Sequence, residues 1–205
     1  MHADDLWIAP ASALLLGYLL GSIPFGVILT RAGGAGDLRR VGSGNIGATN
    51  VLRTGRKGLA AATLLLDLLK GAAAVWIVAA WSPFDAPLAA AGAFLGHCYP
   101  VWLRFHGGKG VATLMGIALA LHWPVGAIYA GVWLGLLALV RISSLAGMVA
   151  AASAPVSAAA CGRFDLVLLL LALALIVLWK HGDNLERLLT GTEPRLGRSS
   201  GADRG

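Results

Sequence analysis

Long apolar runs alternate with short stretches rich in glycine, asparagine, serine and basic residues. A helix needs about 20 apolar residues to cross a bilayer core of about 30 Å. By that measure residues 6–30 form one span and 58–81 a second, interrupted by Asp67 and Lys70. A somewhat short run follows at 87–103. Residues 110–140 exceed one helix and break at His122, Trp123 and Pro124, since proline ends or kinks helices. That gives 110–121 and 125–140, and 145–160 and 166–180 complete the series. The pattern predicts an all-α polytopic membrane protein with about seven transmembrane helices, some short. Helices of 12–17 residues reach only about 18–25 Å, so five long spans is the competing count. Both counts are odd and place the termini on opposite sides.

Composition agrees. Of 205 residues, 58% are hydrophobic and 13% charged, with mean hydropathy +0.76. Soluble domains carry about 25% charge, and a soluble enzyme of this size cannot hide so much apolar surface. A single integral membrane domain over 1–195 is expected, followed by a disordered polar tail at 196–205.

The net charge of +6, from 16 basic and 10 acidic residues, suggests nucleic-acid binding in a soluble protein. Its distribution gives another meaning. With the N-terminus outside, Arg31, Arg39, Arg40, Arg53, Arg56, Lys57, Arg104, Lys109 and Arg141 lie in inner loops. Lys180, Arg187, Arg195, Arg198 and Arg204 join them at the C-terminal end, making 14 of the 16. Arg163 lies outside and Lys70 within a span. The positive-inside rule therefore predicts an outer N-terminus and a cytoplasmic C-terminus, with no nucleic-acid partner. Asp4 and Asp5 stand where a cleavable signal wants positive charge, so none is expected. Cys98 and Cys161 fall at opposite membrane faces, so no disulfide is expected. Glycines within spans, such as Gly92 with Gly96 and Gly131 with Gly135, are expected to allow close helix packing.

Three inner segments concentrate the polar chemistry. The first, 42–53, reads GSGNIGATNVLR. Its small residues allow close backbone approach and an anion-binding concavity. Ser43, Asn45, Thr49 and Asn50 offer neutral hydrogen-bonding groups, and Arg53 offers a planar fork for phosphate. The second is Gly107, Gly108, Lys109 and Gly110, leading into a predicted helix through Val111, Ala112 and Thr113. A lysine among free amides at a helix start suits an anion. It is not a Walker A loop, because no Ser or Thr follows the lysine. His106, Gly107 and Gly108 have the look of a lipase oxyanion segment, but the chain has no G-x-S-x-G elbow.

The third segment, 180–193, places His181, Asn184 and Arg187 at helical spacing. His181 is a candidate base, donor or substrate contact, or an interfacial anchor. Glu193 is a candidate partner for a basic residue that holds the segment in place. Asp67 and Lys70, three apart in a span, form a structural ion pair or a cavity wall, and His97 has a similar depth. The acids are scattered, so no metal site is expected.

Together these motifs resemble the bacterial membrane glycerol-3-phosphate acyltransferases that use acyl-phosphate, the PlsY family. The resemblance rests on SGNIGATNVLR at 43–53, GGKGVAT at 107–113 and HGDNLERLLTGTE at 181–193. DLLKG at 67–71, LGH at 95–97 and PVW at 100–102 add to it, so it covers nearly the whole chain. It implies acyl transfer from acyl-phosphate to the 1-hydroxyl of sn-glycerol 3-phosphate, giving lysophosphatidate and phosphate, with no cofactor. It implies a cytoplasmic active site with Ser43, Arg53, His181 and Asn184 catalytic. Glycerol 3-phosphate would lie on Gly107, Gly108, Lys109 and Gly110, with Asn45, Thr49 and Asn50 also near substrate, and Glu193 more structural. A transporter of phosphate or an organophosphate is the alternative, since broken helices with glycine loops also suit transporters. It predicts inverted-repeat similarity between halves, which is not evident here.

Overall fold

The computed structural model describes residues 5–197, with the backbone alone for Asp5 and Leu6. The tail expected at 196–205 falls outside the described residues from 198 onward, as do Asp4, Arg198 and Arg204. Ten α-helices and no strand occur among the described residues. They are α1 (Asp5–Gly21), α2 (Phe25–Ala32), α3 (Ala48–Leu52), α4 (Lys57–Ala79) and α5 (Ala86–Cys98). Then come α6 (Val111–Leu121), α7 (Trp123–Val140), α8 (Ser143–Ala160), α9 (Phe164–Lys180) and α10 (Gly182–Leu189). The stretch divides into two compact units, the division falling after Gly126 near the start of α7.

Every expected apolar run contains a helix, but two runs differ in form. The first run breaks into α1 and α2 at Pro24, which cannot donate to the helix and disfavours helical geometry at Ile23. The run at 87–103 is not one helix: α5 stops at Cys98, ahead of Pro100, and a 3₁₀ turn covers Val101–Leu103. Beyond the last run, α10 follows α9 at a 61° bend. Among the described residues four helical stretches are long and apolar enough to cross a membrane, α1 with α2 counting as one; α9 with α10 makes five. The 13-residue α5 and 11-residue α6 are too short alone, at about 20 and 16 Å.

In the first unit the helices interlock through glycine. A methyl on Gly17 or Gly21 of α1 would strike the α5 backbone at Ala89 or Ala93. One on Gly92 or Gly96 would strike α1 at Leu14 or Tyr18. Gly71 and Gly116 bring α4 and α6 together in the same way. Small residues let backbones approach where lipid supplies no hydrophobic drive between helices. The matching expectation for Gly131 and Gly135 is not met: a methyl on either meets open space, because no described residue approaches that face of α7.

Candidate active site

The first motif folds around a buried amide. Asn50, at the middle of the five-residue α3, donates through Nδ2 to the carbonyls of Leu38, Val41 and Asn45 at 3.1, 2.9 and 2.8 Å. Its Oδ1 accepts from the Ser43 amide at 3.3 Å. Sequence reasoning placed Asn50 near substrate; here its amide is committed to four backbone partners and shapes the loop. Asn45 turns the chain into α3, its Oδ1 accepting from the Gly47 amide at 3.1 Å. Beneath them, Ile46 and Val51 join Val27, Leu38 and Ala60 in an apolar cluster against which Leu103 packs.

What remains outward are Ser43, Thr49 and Arg53, all exposed. Arg53 lies across Gly42, whose added β-carbon would sit 2.8 Å from both Cδ and Nη1 of the arginine. Gly42 has φ +51°, a left-handed value suited to glycine. Among the described residues no carboxylate pairs with Arg53. Asp37, by contrast, accepts from Arg39 through both oxygens, at 3.0 and 2.7 Å, and from the Arg39 amide at 3.1 Å. Those hydrogen bonds, with the charges of Arg39 and Arg31, hold its carboxyl well below the usual carboxylate range.

The second motif is fastened to the end of α5. Gly108 donates to the His97 carbonyl at 3.0 Å and Gly107 to that of Cys98 at 3.2 Å. A β-carbon on Gly108 would overlap the His97 ring. Lys109 is half-buried, and Gly110, left-handed at φ +85°, precedes the first turn of α6. The α6 amides therefore begin where the GGKG loop ends.

His97 links this loop to the buried charges of α4. Lys70 Nζ lies 2.7 Å from Asp67 Oδ1, and His97 Nδ1 lies 3.7 Å from the same oxygen. Lys70 also donates to the Ile23 carbonyl, at the break between α1 and α2, at 2.8 Å. All three side chains are buried. Of the two readings of Asp67 and Lys70, the structure gives the ion pair, and it ties α4, the α1–α2 break and the GGKG loop together.

The third motif lies in the second unit, at the corner between α9 and α10. His181 is buried, and its Nδ1 is 2.7 Å from the Val177 carbonyl. A carbonyl only accepts, so Nδ1 carries the hydrogen and Nε2 is the basic nitrogen. Glu193 gathers the segment. Oε1 accepts from Asn184 Nδ2 and Ser144 Oγ, each at 2.6 Å, and Oε2 pairs with Arg187 Nε at 2.7 Å. Burial alone would raise the Glu193 carboxyl; those three donors and the Arg187 charge outweigh it, so the group lies below the ordinary glutamate value. Ser144 was missed from sequence because 49 residues separate it from Glu193 and no local pattern joins them.

The chain is similar to known proteins over nearly its whole length. A family described as Glycerol-3-phosphate acyltransferase matches residues 11–191. The glycerol-3-phosphate acyltransferase of Erythrobacter litoralis (strain HTCC2594) is 55% identical over 195 residues, 94% of this chain and 98% of that protein. Two crystal structures of PlsY (YgiH), an integral membrane glycerol 3-phosphate acyltransferase, are also similar. Its glycerol 3-phosphate form is 36% identical with TM-score 0.87, covering 92% of this chain and 96% of that one. Its lysophosphatidic acid form is 33% identical with TM-score 0.84, covering 92% and 95%. The chain is therefore an integral membrane protein and belongs to the glycerol-3-phosphate acyltransferase family.

Proposed function

We propose that residues 1–195 act as one membrane acyltransferase domain on the cytoplasmic face of the bacterial inner membrane. It transfers a fatty acyl group from acyl-phosphate to the 1-hydroxyl of sn-glycerol 3-phosphate, releasing lysophosphatidate and inorganic phosphate for phospholipid synthesis. The observation that carries the reading is the near full-length likeness, at 36% identity, to an acyltransferase solved in its glycerol 3-phosphate form. The 14 basic residues assigned to one side support an outer N-terminus and a cytoplasmic C-terminus.

Both substrates carry phosphate, and one carries an apolar chain. A cationic site at the membrane surface suits both. Arg53 and Lys109 bind phosphate, with Gly107, Gly108 and Gly110 supplying backbone amides and Ser43, Asn45 and Thr49 hydrogen bonds. Asn50 contributes by shaping the loop. His181 and Asn184 complete the machinery, and Glu193 holds their segment in place. Acyl-phosphate is an activated mixed anhydride, so no acyl-enzyme is required. The 1-hydroxyl attacks the carbonyl carbon, the acyl–oxygen bond to phosphate breaks, and phosphate leaves with the electron pair. The hydroxyl proton passes to the departing phosphate or to His181 Nε2. Alignment of the reactants is worth about 7–11 kcal/mol, and cations on the departing phosphate stabilise developing charge.

The test uses the purified chain in lipid vesicles with acyl-phosphate and glycerol 3-phosphate. Phosphate release that requires both substrates, with lysophosphatidate appearing in equal amount, is the expected result. Uptake of glycerol 3-phosphate without chemistry overturns the reading in favour of a transporter.

A further inference from the structure

An open cleft of about 360 Å³ lies beside the first two motifs yet contains none of their residues; Arg39, Trp102, Leu103, Arg104 and His106 line it. We infer that this cleft is an accessory site for the headgroup of an anionic membrane phospholipid, its phosphate held by Arg104 and Arg39 and a headgroup hydroxyl by His106, against an apolar wall of Trp102 and Leu103.

The segment is shaped to present these groups. Arg104 has φ 52° and Phe105 φ 63°, two successive left-handed residues that are not glycine. Such conformations persist where the surroundings impose them and gather at ligand clamps. Tyr18 imposes one side, its hydroxyl accepting from the Val101 amide at 3.0 Å and donating to the Tyr99 carbonyl at 2.8 Å. Trp102 imposes the other, its indole nitrogen donating to the Ser22 carbonyl at 2.7 Å. The result is an exposed Arg104 side chain with no partner among the described residues. His106 Nδ1 donates to the Arg104 carbonyl at 2.7 Å, which leaves the Nε2 lone pair to accept a hydrogen bond from a glycerol hydroxyl of the headgroup. Arg39 gives Nε and Nη2 to Asp37 and keeps Nη1. Asp37, the carboxylate paired with Arg39, has both its oxygens occupied by arginine.

The choice of a lipid over a water-soluble anion rests on the surroundings. Trp102 and Phe105 are 50% and 58% exposed at the end of an apolar helix. Exposed aromatics at that level are interfacial anchors, and basic residues beside them meet the headgroups of anionic lipid. The volume is that of a small-molecule site.

The experiment is native mass spectrometry of the full chain in detergent, titrated with phosphatidylglycerol and, separately, phosphatidylcholine. Wild type is expected to retain phosphatidylglycerol in preference to phosphatidylcholine, with millimolar inorganic phosphate failing to displace it. Arg104→Gly removes the cation while placing glycine at a left-handed position, so the fold is preserved or stabilised. It should weaken phosphatidylglycerol retention by about tenfold, as expected for a charged hydrogen-bond donor, with an unchanged or raised melting temperature. His106→Gln should weaken retention by a smaller factor. Unaltered retention in a folded Arg104→Gly chain overturns the proposal, as does displacement by inorganic phosphate at equal potency.

Discussion

Gly108 lies directly against the imidazole of His97, and its amide is fixed to the carbonyl of the same residue at 3.0 Å. The ring is itself buried beside Asp67, so neither partner has room to yield. Gly108→Ala must move the loop or the ring, an overpacking that costs roughly 1–3 kcal/mol. The expected result is a lower melting temperature and acyl transfer reduced at least about tenfold, because a displaced anion loop loses alignment. Gly131→Ala, whose methyl meets open space, should match wild type in both assays. Equal stability and activity in the two variants would show that the GGKG loop tolerates displacement.

The buried pair of Asp67 and Lys70 gives a second prediction. Removing one member of a buried pair leaves an uncompensated charge and costs about 3–5 kcal/mol, whereas replacing both with apolar groups is often close to neutral. Lys70→Met should therefore destabilise the chain strongly, and Asp67→Leu with Lys70→Met should recover most of the loss. Melting temperatures of the single and double variants in one detergent decide this. A double variant as unstable as the sum of its singles would mean that Lys70 acts mainly through the Ile23 carbonyl.

These two cases show how much was legible in the sequence. Spacing placed Asp67 and Lys70 on one helix face, and the apolar runs located the helices, because both depend on local periodicity. Pro24 and Pro100 were visible too, yet the runs around them were expected to stay continuous; apolar length alone does not register a broken backbone. The failure at Gly131 and Gly135 is of another kind. A glycine spacing states what a helix permits, and α5 found α1 as its partner while that face of α7 meets no described residue. Asn50 was singled out for its polarity, but its role depends on carbonyls of Leu38 and Val41, 12 and 9 residues away, that no pattern announces.

Asn50 and Ser43 should separate in experiment. Asn50→Ala strips the Asn45 carbonyl and the Ser43 amide of their partner and the Leu38 and Val41 carbonyls of one of two, and each buried group left unpaired costs about 1–3 kcal/mol. A drop in melting temperature and a raised KM for glycerol 3-phosphate are expected, as the loop loses its shape. Ser43 is exposed and contributes only its backbone amide to the loop. Ser43→Ala should lower kcat with the melting temperature unchanged. An Asn50→Ala chain as stable as wild type but inactive would return Asn50 to direct substrate contact.

Glu193 predicts an acid limb in stability. Its folded carboxyl lies below the unfolded value, so the charged form is favoured by folding. The contribution is fully present above the ordinary glutamate range, near pH 4.3, and is lost as pH falls toward the folded value. Glu193→Gln keeps the shape and removes the titration. It should be less stable than wild type at neutral pH, with the difference shrinking in acid; melting temperatures between pH 7 and pH 3 measure it. A constant difference across that range would assign the role to shape alone.

His181 carries the last prediction because the fold has already chosen its tautomer. With Nδ1 donating to Val177, Nε2 holds the lone pair, the arrangement a general base requires. General-base catalysis contributes about 10²–10⁴-fold. If His181 takes the proton, His181→Gln should lower kcat by a factor in that range. The acid limb of the rate profile, where the imidazole becomes protonated, should vanish with it. If the departing phosphate takes the proton instead, the variant keeps near-normal turnover and its acid limb. The melting temperature of His181→Gln supplies the control, since the buried ring also ties α9 to the start of α10. A stable variant with intact turnover leaves proton transfer to the substrate's own phosphate, and the histidine is then a corner post of the fold.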